Sequence, residues 1–235
     1  MISEQWFIPL TIIGLLLLLL FMASLVSKYQ NHRANLRAVV RRVGAAIPLI
    51  EEALEHLSTV PLSQPLRLML RGDIYSRLKA IRGVCKSYPN IVERLEEAKL
   101  RVDREGAATA KSVPPIKDER HLQNLIRSVD NLVDFIEQGG PMNHQRTDLR
   151  VAFRDELTER RAEILARYHM VQASRYQQAN NINTARNHLN TLLRVLEERG
   201  PNTEFVRELH GQATKMIREV NATKQDESGM DSTAA

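Results

Sequence analysis

The chain has 235 residues, of which 43% are hydrophobic and 26% charged, so it is long enough for one or two domains with a buried core. Its formal net charge of +5 equals the five basic residues between positions 28 and 42, and the rest of the chain has as many acidic as basic residues. This balance argues against nucleic-acid binding as the main function.

The first predicted element is an apolar run from Trp6 to Val26, which contains no charged residue. A helix needs about 20 apolar residues to cross the ~30 Å hydrocarbon core of a bilayer, so the run predicts a transmembrane helix within residues 1–27. A cleaved signal peptide is the alternative, but its first region is normally positive, and the only charged side chain before the run is Glu4. We therefore predict an uncleaved membrane anchor. The residues predicted to lie in the membrane include Trp6, Phe7, Leu15, Leu20 and Val26.

Five basic residues follow the run, and no acidic residue lies among them: Lys28, Arg33, Arg37, Arg41 and Arg42. Basic residues beside a membrane span stay on the cytoplasmic side, so we expect the N-terminus outside and residues 28–235 in the cytoplasm. Basic residues at a membrane surface also attract anionic lipid, and the sequence does not separate this role from a purely topological one.

Two compositional features indicate the compartment. The single cysteine, Cys85, has no partner for an internal disulfide and fits a reducing environment. Arginine outnumbers lysine 25 to 8, which is typical of GC-rich genomes. Together with the anchor, these features suggest a bacterial inner-membrane protein.

Residues 28–60 carry a heptad seam, since apolar residues alternate at spacings of four and three. The seam is Leu36, Val40, Val43, Ile47, Ile50, Leu54 and Leu57. Pro48 predicts a kink or a break between Gly44 and Pro48, because proline removes a helical hydrogen bond. The seam either joins two copies of the chain or packs on later helices of the same chain.

The rest of the sequence predicts further amphipathic helices, and no stretch shows the alternation of a β-strand. A membrane-proximal helical hairpin occupies 61–105, with helices over about 65–86 and 90–105. A linker at 106–117 ends in a double proline. A distal helical domain covers 118–222, with four helices, and the polar tail 223–235 is predicted to be disordered.

Part of the distal domain resembles a tetratricopeptide repeat. Ala173, Tyr176, Ala185 and Leu189 stand at the spacing of that repeat's small and aromatic positions, although Gln172 replaces the usual leucine. The resemblance covers about 34 residues, roughly 168–201, and implies protein docking on an array of helical hairpins. The alternative architecture is a general helical bundle. The candidate docking groove comprises Tyr168, Gln172, Arg175, Tyr176, Asn183 and Arg186.

The sequence contains no recognisable catalytic, phosphate-binding or zinc-binding motif. The seven histidines show neither H-x-x-x-H nor H-E-x-x-H spacing, and the pairs Glu52/His56 and Asp118/His121 lack further ligands. We therefore predict no cofactor, no metal and no small-molecule substrate.

The predicted function is non-enzymatic: a membrane-anchored cytoplasmic scaffold, adaptor or assembly factor that docks a protein partner. A self-associating envelope protein of coiled-coil type is the first alternative, because the heptad seam is suited to dimerisation. An enzyme acting at the membrane through a site without a known motif is the second.

Overall fold

The computed structural model describes residues 3–86, 88–105, 113–116, 118–140 and 147–231, and the side chains of these residues except 3–14, 16, 17, 32, 199 and 223–231. Throughout these ranges the fold is an all-α bundle without strands, which confirms the prediction of an all-α helical bundle. The helices are α1 Ser3–Gly44, α2 Ala46–His56, α3 Gln64–Val84, α4 Ile91–Asp103, α5 Glu119–Glu137, α6 Thr147–Gln178, α7 Ile182–Arg199 and α8 Glu204–Asp231, with a 3₁₀ turn at Leu57–Thr59.

No helix in the described part of the chain has the length and apolar character needed to cross a membrane.

The predicted break near Pro48 is confirmed. Helix α1 ends at Gly44, Ala45 forms a turn, and α2 begins at Ala46. Pro48 therefore lies in the first turn of α2, where a missing N–H removes no intrahelical hydrogen bond.

The heptad seam packs inside the chain. Ile47, Ile50 and Leu57 are at most 3% exposed, and Val40 and Val43 are partly buried against the same core. This core is shared by α2, α3, α5 and α6, and its deeply buried members include Ile50, Leu57, Leu66, Leu70, Leu78, Leu125, Leu132, Ile136, Leu157 and Ile164. The C-terminal part of the seam therefore packs against other helices of the same chain.

The main core includes residues on both sides of the predicted linker. Val113 and Ile116, at the end of that linker, are at most 2% exposed and belong to the core. The Val113 N–H also donates to Oε1 of the buried Glu163 on α6 at 3.2 Å. Residues 106–112 and 117 lie outside the described residues.

The distal helices pack successively, α5 on α6, α6 on α7 and α7 on α8, and α8 also contacts α6. Two smaller apolar clusters fill this part. One cluster is centred on Ala166, Leu192 and Ala213, and the other on Ala173, Ala185 and Leu189. Small residues at these positions allow α6 and α7 to approach closely.

Two positions on the apolar stripes of the sequence are less buried than those stripes predict. The stripe of the helix predicted over about 146–179 includes Leu149, which is 45% exposed. The stripe of the helix predicted over about 65–86 includes Cys85, which is half-buried just after α3 ends.

Helix α8 continues to Asp231, within the polar tail predicted for residues 223–235, and residues 232–235 lie outside the described residues.

A buried ion pair links three separate parts of the fold. Nε of Arg77 on α3 donates to Oδ2 of Asp73 at 2.6 Å, and both side chains are at most 8% exposed. Nη1 of Arg77 donates to the Val43 carbonyl of α1 at 2.9 Å, and Nη2 donates to the Gly140 carbonyl beyond α5. The guanidinium also lies 5.6 Å from the centroid of the Phe135 ring. One side chain therefore connects α1, α3 and the end of α5.

We predict that Arg77→Met lowers the free energy of unfolding by about 3–5 kcal/mol, because it leaves the Asp73 carboxylate and two carbonyls without this donor. Arg82→Met is the matched control, since Arg82 is an exposed arginine of the same helix, and it should cost less than about 1 kcal/mol. Thermal and urea unfolding of the full-length protein in mild detergent, followed by circular dichroism, measures both. Equal losses for the two variants would contradict the assigned role of Arg77.

Candidate functional site

The N-terminal segment of α1 presents apolar side chains to its surroundings. Leu15, Leu20 and Val26 are 61%, 66% and 52% exposed. Every other described side chain from 18 to 35 is exposed as well. The side chains of Trp6 and Phe7 lie outside the described residues. This segment is therefore an apolar helix whose described part is not covered by the bundle.

The five basic residues after this segment are all exposed on α1. Within the described part of the chain, none of them lies within 4 Å of a carboxylate. The Arg33 guanidinium instead lies 4.7 Å from the centroid of the Tyr29 ring, in a cation–π arrangement. The structure thus brings the residues predicted for topology or lipid contact onto one exposed helical segment.

The six residues predicted to form a docking groove all lie on the α6–α7 hairpin, but they do not form one surface. Tyr168 and Gln172 are 9% and 7% exposed, and Tyr168 belongs to the main core. Tyr176 and Arg186 are half-buried, and Arg175 and Asn183 are exposed. Only the last four present appreciable surface to a partner.

A cluster of aromatic rings lies between α6 and α7, next to the start of α5. Nδ1 of His169 and Nδ1 of His188 are 3.2 Å apart, and Tyr176 stacks on His188 at an interplanar angle of 14°. Tyr168 meets both histidine rings edge to face. The sequence contains no signal for this pair, because the two histidines are 19 residues apart on different helices.

Burial and, to a lesser extent, the adjacent His188 lower the pKa of His169 from 6.5 to about 4. Burial also lowers the pKa of His188, whereas Glu119 opposes that shift. The Nδ1···Nδ1 hydrogen bond needs at least one ring nitrogen without a proton, so the neutral forms are compatible with this contact. The pair consequently supports the packing of α7 on α6 near neutral pH.

A polar cleft of about 700 Å³ lies between α2, α3 and α4. Leu54, Ile74 and Ala98 contribute apolar side chains to its lining, and its charged residues are Glu51, Glu55, Glu97, Arg71, Arg94 and Arg101.

Each arginine of this cleft has a carboxylate partner. Arg101 pairs with Glu97 at 2.6 Å, Arg94 with Glu51 at 3.7 Å, and Arg71 with Glu105 at 2.6 Å. Charges that neutralise one another in pairs do not make an isolated general acid or base.

Among the residues that the structure describes, no three His, Cys, Asp or Glu side chains converge as ligands for a metal ion. His144, one of the seven histidines, lies outside the described residues. His169 and His188 offer two nitrogens, fewer than the three protein ligands of a typical catalytic zinc site.

Comparison with known proteins found no matching family, no matching curated protein and no matching solved structure.

We predict that stability decreases between pH 6.5 and 5 because of His169. The unfolded chain binds the His169 proton near pH 6.5, whereas the folded chain binds it only near pH 4, so protons favour the unfolded state in this interval. After allowance for the partial exposure of the ring, the loss attributable to His169 is about 1 kcal/mol. Urea unfolding of the full-length protein and of His169→Gln at both pH values measures it. An equal pH dependence in both proteins would contradict the prediction.

Proposed function

We propose that this protein is a single-pass inner-membrane protein that holds an α-helical bundle at the cytoplasmic face as a non-enzymatic scaffold, adaptor or assembly factor. The observation that carries the proposal is the continuity of α1. One uninterrupted helix, Ser3–Gly44, leads from the apolar run through the basic segment to the bundle.

The membrane anchor is proposed from sequence and exposure together. The sequence from Trp6 to Val26 is a run of 21 residues without a charge, and a helix needs about 20 apolar residues to cross a bilayer. The absence of a membrane-spanning helix concerns only the described part of the chain, and the side chains of residues 6–14, 16 and 17 of this run lie outside it. The described side chains of the run are exposed, and in water such a surface is costly, at about 25 cal/mol per Å² of apolar area. The five basic residues that follow favour retention of residues 28–235 on the cytoplasmic side. A lipid environment removes the apolar cost without any protein partner.

The bundle is attached firmly to the C-terminal end of α1. Val40 and Val43 pack against the main core, and the Val43 carbonyl accepts a hydrogen bond from the buried Arg77. From Val26 to Val40 the helix rises about 21 Å, at 1.5 Å per residue. In the proposed mechanism, this helical stalk holds the bundle at a set height above the bilayer. Confinement to the membrane plane then raises the effective concentration of a partner that is also membrane-bound.

The α6–α7 hairpin provides the proposed docking surface. Residues 164–196 contain no aspartate or glutamate, whereas they contain Arg167, Arg175, Arg186 and Arg194. Arg175 and Asn183 are exposed near the end of the hairpin, and Arg186 is half-exposed. A surface of this composition favours a partner with an acidic face, since complementary charge accelerates association and suppresses wrong partners.

The self-associating alternative receives less support. Ile47, Ile50 and Leu57 of the heptad seam are buried in the core of the same chain, which leaves mainly Leu36 and its N-terminal neighbours for a second copy. Sedimentation of residues 28–235 discriminates between the two functions. A concentration-independent monomer is expected, and a dimer that dissociates on dilution would favour self-association through α1.

We predict that residues 28–235 form a folded, soluble helical protein, because the truncation removes the apolar run and keeps Val40, Val43 and the Arg77 contact. The full-length protein should remain in vesicles of phosphatidylcholine after alkaline extraction, while the truncated protein should stay in the supernatant. Circular dichroism of the truncated protein reports its fold. Release of the full-length protein by alkali would contradict the anchor, and an unfolded fragment would contradict an autonomous bundle.

For the docking surface, we predict that Arg175→Glu with Arg186→Glu reduces recovery of a specific protein partner at least tenfold in affinity purification of the tagged full-length chain. The reversal places like charge opposite the acidic face of that partner. Arg207→Glu with Arg218→Glu is the matched control, since both arginines are exposed on α8. If both double variants recover the partner equally well, the partner does not bind the α6–α7 hairpin and the proposed docking surface is wrong.

A further inference from the structure

The basic residues of α1 are not distributed evenly around the helix. Tyr29, Arg33, Arg37 and Arg41 recur every four residues, so they lie on one side. Met22 and Val26 extend the same side into the apolar run. A furrow of about 600 Å³ follows this side, with Met22 and Val26 at its apolar end and Arg33 and Arg37 at its basic end.

The arginine side chains of this stripe extend towards the apolar run. In an α-helix the Cα–Cβ bonds tilt towards the N-terminus, and long side chains cover the preceding turn. Arg33 shows this arrangement, because its guanidinium lies over the ring of Tyr29, one turn earlier. The N-terminal direction of α1 is also the direction of the proposed bilayer.

Distance along the helix separates the arginines into two groups. Arg33 and Arg37 follow Val26 by about 10 and 16 Å, at 1.5 Å per residue, and side chains that extend back one turn reduce these heights to about 5 and 11 Å. The polar layer of each leaflet is about 5–7 Å thick. On the same basis, Arg33 lies at the level of this layer, Arg37 lies about 4 Å beyond it, and Arg41 lies about 10 Å beyond it, which is comparable with the Debye length of ~8–10 Å. Arg33 and Arg37 are therefore the arginines of this stripe that lie nearest the lipid phosphates.

We propose that Arg33 and Arg37 bind the phosphate of an anionic phospholipid whose acyl chains lie along Met22 and Val26. This inference rests on the proposed function, since it requires α1 to cross the bilayer. A guanidinium matches phosphate geometry with two parallel N–H donors. Within the described residues, no carboxylate lies close enough to compete for either arginine. Tyr29 would lie at the membrane–water interface, where its ring contacts apolar chains and its hydroxyl contacts the polar headgroups.

The test uses the full-length protein purified in mild detergent with equal amounts of phosphatidylglycerol and phosphatidylcholine. Native mass spectrometry measures which lipid remains bound. We expect the unmodified protein to retain phosphatidylglycerol preferentially. Arg33→Gln with Arg37→Gln should lower that preference about twentyfold, because each basic residue near the surface contributes about fivefold (~1 kcal/mol). Arg41→Gln with Arg42→Gln removes the same charge from the same helix and should change the preference less than twofold.

The outcomes separate this inference from the membrane anchor. Equal retention of the two lipids by the unmodified protein would overturn the proposal, because no selective lipid site would then exist. The same loss of preference in both double variants would also overturn it, because the attraction would then depend on total charge and not on Arg33 and Arg37. Alkaline extraction from pure phosphatidylcholine vesicles tests the anchor independently of anionic lipid. If all three proteins remain in these vesicles, the membrane anchor is supported whatever the lipid preference. If alkali releases the unmodified protein, both the anchor and the lipid site are contradicted.

Discussion

The arrangement of this molecule depends on the buried pair of Arg77 and Asp73. Removing two charges from water is costly, and the cost is offset only where the geometry is close and other hydrogen bonds are made. Here Arg77 also donates to the carbonyls of Val43 and Gly140, which belong to α1 and to the segment after α5. An interaction inside α3 therefore determines where the stalk helix meets the bundle. Val40 and Val43, which are partly buried against the main core, also hold α1 on the bundle.

Other polar contacts at the core boundary also connect distant parts of the chain. The N–H and Oγ of Ser63, at the start of α3, donate to the two carboxylate oxygens of Glu156 on α6, at 2.5 and 2.6 Å. Glu163, about two turns further along α6 than Glu156, accepts from Val113 and from Nη1 of Arg160. Helix α6 thus supplies carboxylates to both the first half of the bundle and the end of the linker. These contacts make the two halves share one core.

Charge distribution gives the molecule two different exposed regions. The basic segment of α1 lies at the junction with the apolar run, whereas the α6–α7 hairpin combines arginine with uncharged amides and lacks acidic residues between 164 and 196. The polar cleft of α2, α3 and α4 differs from both, because its arginines and glutamates neutralise each other. A protein that presents one region to lipid and another to an acidic partner matches the proposed scaffold. The spacing between the regions is set by the helical rise of α1 and by its attachment through Arg77.

The sequence by itself determined the helical elements, because apolar periodicity and breakers act over a few residues. Proline near Gly44 was sufficient to predict the end of α1, and the spacing of Ala173, Ala185 and Leu189 was sufficient to predict a close helical hairpin. The contact between His169 and His188 and the burial of Arg77 were decided only by the tertiary structure. These depend on which helix faces meet across long sequence separations, and the apolar stripe of one helix does not specify its partner. The same reason explains why Tyr168 and Gln172, predicted to line a groove, are buried, with Tyr168 in the main core.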